Sequence, residues 1–235
     1  MIDFHSHIIP EIDDGSRSIE ETMLLLEEAQ KAGFTKIIST SHYLEDRYKF
    51  DESSRKQFLD MLKIGASNLK LDLELYLGSE IYTSYDIVDL LKEHKASTIN
   101  GTNYVLIELP MQSELPNLKN VIYELLGNGY IPIIAHPERY YYVQDNLEVL
   151  NDYLKMGCLL SGNILALAGK YGRRQEKTLK KLLQDGKIFC LAVDAHKPAD
   201  YVLVDAKKKL LRIMKDEAKM RELLEVNPGR IIGGK

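Results

Sequence analysis

The chain of 235 residues has few cysteines and no long apolar run. A membrane span requires roughly 18 to 20 consecutive apolar residues, and the sequence contains no such stretch. The first residues also lack the basic region and the cleavage site of a secretory signal. The two cysteines, Cys158 and Cys190, lie within apolar runs, which predicts buried free thiols rather than a disulfide or a metal-binding pair. We therefore expect a cytoplasmic protein without membrane insertion.

Clusters of basic residues are absent as well. The formal net charge is -4 and the two signs are interspersed, so the sequence carries no electrostatic footprint for a nucleic acid partner. Hydrophobic residues make up 45% and charged residues 28%, as in an ordinary globular protein with a packed core. At this length we expect one large domain over residues 1–235, while the oligomeric state is left open.

Short apolar runs rich in β-forming residues alternate with longer segments of helical period, which predicts parallel strands joined by crossover helices. Seven strands are predicted, at Ile2–Phe4, Lys36–Thr40, Leu73–Leu77, Tyr104–Leu109, Ile131–Ala135, Cys158–Ser161 and Ile188–Val193. The first helix begins at a capping box on Ser18 and stops at Gly33. Further helices are predicted at Asp51–Leu69, Ser84–Glu93, Leu118–Leu126, Leu147–Met156, Arg173–Asp185, Val202–Met214 and Asp216–Leu224. This pattern favours an α/β barrel over an open sheet.

The histidines follow the predicted strands. Of the six histidines, only His94 lies away from a strand end, in a helical segment typical of the solvated surface. The other five are His5, His7, His42, His136 and His196. Because the active sites of α/β barrels are built at the C-terminal ends of the strands, we expect these five imidazoles to face one mouth.

Carboxylates occupy the same kind of position: Asp13, Asp14, Glu80, Glu108 and Asp194. A loop aspartate such as Asp14 is more often a turn residue, so its assignment depends on its companions. Glu108 and Asp194 adjoin strongly apolar strands, where an unpaired charge is costly and a cation is expected nearby. Imidazole together with carboxylate suits Zn, Mn or Fe in a catalytic site.

Six motifs in a fixed order carry a family resemblance. They are His5-Ser-His7, Asp13-Asp14-Gly15, Ser39-Thr-Ser-His42, Gly78-Ser-Glu80-Ile-Tyr82, His136-Pro-Glu-Arg139-Tyr140 and Asp194-Ala-His196. The sequence resembles the polymerase and histidinol phosphatase (PHP) superfamily, and more closely its bacterial protein-tyrosine phosphatases of capsule and exopolysaccharide synthesis. The resemblance runs from residue 1 to about residue 196, with a further match at Val226-Asn-Pro.

The resemblance implies a distorted seven-stranded TIM-like barrel, the PHP fold, with two or three divalent metal ions, Mn being favoured over Fe or Zn. By motif, one metal takes His5, His7, Glu80 and Asp194, a second takes Glu80, Glu108 and His136, and the third takes Asp14, His42 and His196. Asp14 rather than Asp13 is the implied ligand, because the family uses the second aspartate of this motif. The expected nucleophile is a hydroxide formed from metal-bound water.

Phosphate binding is assigned first to Arg139, whose planar guanidinium can make a two-point contact. The alternative for Arg139 is a surface ion pair with Glu138. Relatives place an arginine shortly after the Asp194 motif, and this chain does not. Either Arg17 or Lys197 replaces that contact, or Arg139 acts without a second cation. Tyr43 and neighbouring tyrosines are candidates to frame an aromatic ring, and His42 is the candidate general acid.

The resemblance implies hydrolysis of phosphotyrosine on a protein partner, namely the autophosphorylating tyrosine kinase that regulates polysaccharide export. Chemistry based on a cysteine nucleophile is excluded, because no arginine follows Cys158 or Cys190 at the required spacing. Three alternatives stay open: a small-molecule phosphatase acting on a substrate such as histidinol phosphate, a phosphodiesterase, and a metal-binding regulatory module without catalysis. The acidic balance disfavours the phosphodiesterase.

Overall fold

Parallel strands form the centre of the computed structural model, which describes residues 1–234. One sheet has the order β1-β2-β4, and the other has the order β3-β5-β6-β7-β8-β9. The strands are β1 (Ile2–Ser6), β2 (Lys36–Ser39), β3 (His42–Tyr43), β4 (Glu74–Leu77), β5 (Glu80–Tyr82), β6 (Tyr104–Glu108), β7 (Ile131–Ala135), β8 (Leu159–Asn163) and β9 (Cys190–Ala192). Residues just after β9 pair with the end of β1 through the Ser6–Ala195 bridge, which joins the two sheets on one side.

Helices connect the strands and cover the sheets. They are α1 (Ile19–Lys31), α2 (Glu52–Asn68), α3 (Ile87–Lys92), α4 (Leu118–Gly127), α5 (Tyr141–Asp145), α6 (Val149–Met156), α7 (Arg173–Gln184), α8 (Val204–Met214), α9 (Glu217–Arg221) and α10 (Asn227–Gly233). The Ser18 side chain caps α1 by accepting a hydrogen bond from the Glu21 amide, as the capping box predicts. A π-helical segment, Glu222–Val226, joins α9 to α10.

The second and third predicted strands are each followed by a short extra strand, so residues 1–234 contain nine strands rather than seven. Two residues separate β2 from β3, and two separate β4 from β5. Gly78 lies in the second of these breaks, where an added Cβ would come within 2.7 Å of the Ile99 side chain. A larger residue would therefore displace the end of the Ile99 side chain, which favours glycine at this point.

The interior of the strands is apolar, with Phe4, Ile38, Leu106 and Ile133 fully buried in one cluster. Ile231 of α10 belongs to the same cluster, so the C-terminal helix packs against the strand interior. A larger apolar cluster lies between the strands and the surrounding helices. The predicted α/β class with parallel strands is confirmed.

Two smaller predictions concern the cysteines and the membrane. Cys158 and Cys190 are buried and free, as predicted. Within residues 1–234, none of the helices combines the length and the apolar character that crossing a membrane demands.

Candidate metal centre

The nine predicted metal ligands meet at the C-terminal ends of the strands. His5 lies on β1, Glu80 on β5 and Glu108 on β6. His136 directly follows β7, and Asp194 lies two residues after the end of β9. The short strands β3 and β5 pair so that His42 stands opposite Glu80. Strand pairing thus sets the spacing of these two side chains.

Four of the ligands form a fully buried group, which we call the inner cluster: His5, His7, Glu80 and Asp194. The His5 Nε2 atom lies 3.0 Å from Glu80 Oε2 and 3.5 Å from Asp194 Oδ1. The His7 Nε2 atom lies 3.4 Å and 3.3 Å from the same two oxygens. Two imidazole nitrogens and two carboxylate oxygens therefore converge on one point.

A second group, the outer cluster, consists of His7, Asp14, His42 and His196. Asp14 Oδ1 lies 3.5 Å from the Nε2 atoms of both His42 and His196. The Asp14 side chain is 55% exposed, whereas that of His7 is fully buried, so this cluster opens towards solvent. A substrate can reach the centre from this side.

Glu80 is shared with a third group, the lateral cluster, which it forms with Glu108, His42 and His136. The His136 Nε2 atom lies 2.9 Å from Glu80 Oε1 and 3.6 Å from Glu108 Oε1. His42 Nδ1 lies 3.1 Å from Glu80 Oε2 and 3.7 Å from Glu108 Oε2. The grouping follows the predicted sets, except that His7 also borders the outer cluster and His42 also borders the lateral one.

These residues fit divalent metal ions. Ligands held at about 2.0 to 2.2 Å from one metal lie roughly 3.0 to 3.5 Å from each other, which is the spacing seen here. Glu80 Oε2 is buried and has no hydrogen-bond partner among the described residues, although three imidazoles surround it. The His5 and His7 Nε2 atoms face each other at 3.1 Å. A cation between these atoms would satisfy all of them.

The pKa shifts of the site also indicate that a cation is needed. Burial and the neighbouring Glu80 carboxylate raise the pKa of Glu108 to about 9, so Glu108 needs added positive charge to ionise at neutral pH. Burial, reinforced by the charge of Arg139, lowers the pKa of His136 to about 4. His136 is therefore neutral at physiological pH, which is the form that binds a metal.

Residues behind the ligands fix their orientation. The His7 Nδ1–H group donates to Asp13 Oδ2 at 2.8 Å, which leaves Nε2 free for a metal. Asp13 also accepts hydrogen bonds from the amides of Gly15 and His42. A Cβ atom on Gly15 would lie 2.4 Å from the His7 Cβ atom, so only glycine allows this loop to fold against His7.

Two of the ligands adopt a strained backbone conformation. His136 has a φ of 32° and Asp194 a φ of 54°, in the left-handed region that residues with a side chain rarely occupy. Backbone strain of this kind is concentrated at functional sites, where it sets the direction of a side chain. Here it turns two side chains towards the centre directly after their strands end.

Arg139 binds a ligand of the centre rather than Glu138. Its Nη1–H group donates to Asp194 Oδ2 at 2.9 Å. Glu138 is fully buried and accepts a hydrogen bond from the Asn163 amide, so the alternative of a surface ion pair between Arg139 and Glu138 is wrong. The guanidinium therefore lies at the edge of the inner cluster, where a bound phosphate would be within its reach.

The prediction that Tyr43 contacts a substrate is wrong. Side chains alternate along a strand, so on β3 the inward His42 places Tyr43 on the opposite side, where it is 3% exposed within the core. Burial lowers the pKa of His42, which favours the neutral imidazole that binds a metal, and its role as a general acid stays a prediction. Arg17 and Lys197 are exposed in the loops that carry Asp14 and His196, and their contacts with phosphate stay predictions.

Residue-based reasoning missed two side chains beside Arg139. Asn163 ends β8 and donates from Nδ2 to Asp194 Oδ2 at 3.2 Å, and its position at a strand end was a signal that could have identified it. The ring of Tyr171 lies under the Arg139 guanidinium, with 5.1 Å between Cζ and the ring centre. No pattern in the sequence distinguishes Tyr171 from the other tyrosines.

Comparison with known sequences assigns the chain to a family. Residues 1–233 match the family described as "Capsular polysaccharide synthesis, CpsB/CapC". The putative tyrosine-protein phosphatase CapC of Staphylococcus aureus is 38% identical over 197 residues, which cover 83% of this chain and 77% of that protein. Tyrosine-protein phosphatase CpsB of Streptococcus pneumoniae is 31% identical over 202 residues, with 83% of each chain covered.

Comparison with solved structures supports the same family. A chain from the crystal structures of YwqE from Bacillus subtilis and CpsB from Streptococcus pneumoniae, described as unique metal-dependent tyrosine phosphatases, superposes with a TM-score of 0.94. It is 26% identical, and the match covers 100% of this chain and 95% of that one. The phosphotriesterase homology protein from Escherichia coli shares only the fold, with a TM-score of 0.62 at 12% identity and coverage of 96% of each chain.

Proposed function

The chain belongs to the CpsB/CapC family of capsular polysaccharide synthesis proteins, and from this premise we propose that it is a metal-dependent protein-tyrosine phosphatase. The observation that carries the proposal is the convergence of nine imidazole and carboxylate ligands at one mouth, with Arg139 bound to one of them. Structural matching to tyrosine phosphatases over the whole chain supports the same reaction.

The metal ligands and Arg139 would have different roles in hydrolysis. Divalent metals bound by the three clusters would lower the pKa of water and offset charge on the phosphate oxygens. Arg139 would hold the phosphate through charge-assisted hydrogen bonds while keeping its contact with Asp194. The leaving phenol has a pKa near 10, so it departs with little proton assistance, and no side chain is assigned as a general acid.

The open outer cluster supports a protein substrate. Its members Asp14, His42 and His196 are partly exposed, so a phosphate on a long aryl side chain can approach them from solvent. We assign the partner as an autophosphorylating tyrosine kinase of polysaccharide export, in the cytoplasm, because the family acts in capsule synthesis. Mn is the proposed metal, with Fe and Zn as alternatives, because all three accept imidazole and carboxylate ligands.

Turnover of a phosphotyrosine peptide compared with histidinol phosphate tests the proposal. We expect kcat/KM for the peptide to exceed that for histidinol phosphate by about 100-fold or more, because an alkoxide is a much poorer leaving group than a phenolate. Preference for histidinol phosphate would assign the site to small molecules. Metal binding without hydrolysis of either substrate would indicate a regulatory module.

A further inference from the structure

The Arg139 guanidinium is held on two sides, by the ligand Asp194 and by Tyr171, which lies outside the ligand set. Its Nη1 atom bonds to Asp194 Oδ2 at 2.9 Å, and its Cζ atom lies 5.1 Å from the centre of the Tyr171 ring. Within residues 1–234, the bond from Nη1 to Asp194 is the side-chain hydrogen bond found for Arg139. One edge of the guanidinium thus remains able to donate to an anion.

Tyr171 is itself fixed in place. Its hydroxyl accepts a hydrogen bond of 2.9 Å from Asn163 Nδ2, which also donates to Asp194 Oδ2 at 3.2 Å. The backbone N–H group of Asn163 donates to Oε1 of the buried Glu138. The side-chain Oδ1 atom of Asn163 accepts a hydrogen bond from the backbone N–H group of Leu165. Asn163 therefore ties the tyrosine ring, the carboxylate and the segment before Arg139 into one network.

This arrangement restricts a flexible side chain. An arginine bonded through one nitrogen can still rotate about that bond, and such rotation would move its free N–H groups away from a phosphate. An aromatic face within about 6 Å attracts the guanidinium and removes this freedom. A preorganised guanidinium loses less entropy when a phosphate binds.

We propose that Tyr171, anchored by Asn163, is a positioning residue that holds the Arg139 guanidinium in the orientation needed to bind the substrate phosphate. The inference rests on the proposed phosphatase function. Lys170 also approaches the Tyr171 ring, at 5.4 Å, but its ammonium group is paired with Asp200 Oδ1 at 2.7 Å. Arg139 is the cation of this stack that reaches a metal ligand.

Kinetics of Tyr171→Leu and Tyr171→Phe in the metal-loaded enzyme test the inference. The Tyr171→Leu substitution removes the aromatic face. We expect it to raise both KM for a phosphotyrosine peptide and the inhibition constant of inorganic phosphate about tenfold, the factor that about 1.4 kcal/mol represents. We expect kcat to change less than about threefold and bound metal to stay the same. The Tyr171→Phe variant keeps the ring but loses the hydrogen bond from Asn163, so we expect it to raise the same two constants by about threefold, less than Tyr171→Leu does.

A double-mutant cycle separates positioning from a structural effect. If Tyr171 acts through Arg139, Tyr171→Leu should add no further loss in an Arg139→Ala background. Tyr130→Leu, at a half-buried tyrosine that precedes β7, is the matched control and should leave KM unchanged. Equal losses from Tyr171→Leu with and without Arg139, or no change in phosphate inhibition, would overturn the inference. Failure of the parent enzyme to hydrolyse the peptide would instead refute the proposed function.

Discussion

Replacing Glu80 with glutamine is expected to lower turnover of a phosphotyrosine peptide by about 1,000-fold or more. Glu80 Oε2 lies within 3.4 Å of nitrogens of His5, His7 and His42, and Oε1 lies 2.9 Å from His136. Without the Glu80 carboxylate, the metals that would activate water are held less tightly in both clusters. A loss of about 4 kcal/mol of transition-state stabilisation corresponds to about 1,000-fold in rate.

The same substitution should reduce bound metal, because Glu80 is shared by the inner and lateral clusters. Metal analysis of the purified variant by mass spectrometry, together with peptide kinetics, checks both effects. Glu93→Gln is the control, since Glu93 is an exposed carboxylate paired with Lys95 and should affect neither quantity. A Glu80→Gln variant that retains the full metal content and turnover would rule out the bridging role.

Replacing Arg139 with alanine is expected to lower kcat/KM by about 100-fold while the metal content stays constant. The guanidinium donates to Asp194 but is not a metal ligand, so its loss removes phosphate contacts and leaves the donor atoms in place. Hydrogen bonds to charged groups contribute about 1.5 to 3 kcal/mol each, which sets the size of the effect.

Arg139→Lys distinguishes charge from geometry at this position. Lysine restores the charge without the planar fork, so we expect it to recover no more than about tenfold of the loss. Steady-state kinetics and metal analysis of both variants provide the measurement. If Arg139→Ala turned over substrate as fast as the parent enzyme, its role in phosphate binding would be refuted.

The convergence of the candidate ligands could be predicted from the sequence because strand ends are marked by local patterns. Apolar runs such as the one before Asp194 define where a strand stops, and parallel strands bring their C-terminal ends together. The capping box at Ser18 predicted the start of α1 for the same reason, since the signal lies within a few residues. Local signals of this kind were sufficient for the α/β class.

Features that depend on distant contacts were not predictable. The strands β3 and β5 contain His42 and Glu80 and have no apolar run. They form through pairing, since β3 pairs with β5 and β5 pairs with β6. The burial of Tyr43 follows from that pairing and was missed with it. Likewise, Tyr171 approaches Arg139 from a segment 32 residues away in the printed sequence, and no spacing encodes that contact.

Metal titration of the chelated protein tests the central claim most directly. The protein would be stripped with a chelator and dialysed, and Mn²⁺ would then be added in steps while bound metal and phosphotyrosine peptide turnover are recorded together. We predict negligible turnover without metal, and recovery that follows occupancy and saturates at two or three ions per chain. Full turnover by the stripped protein, or failure of the stripped protein to bind any divalent ion, would contradict the account.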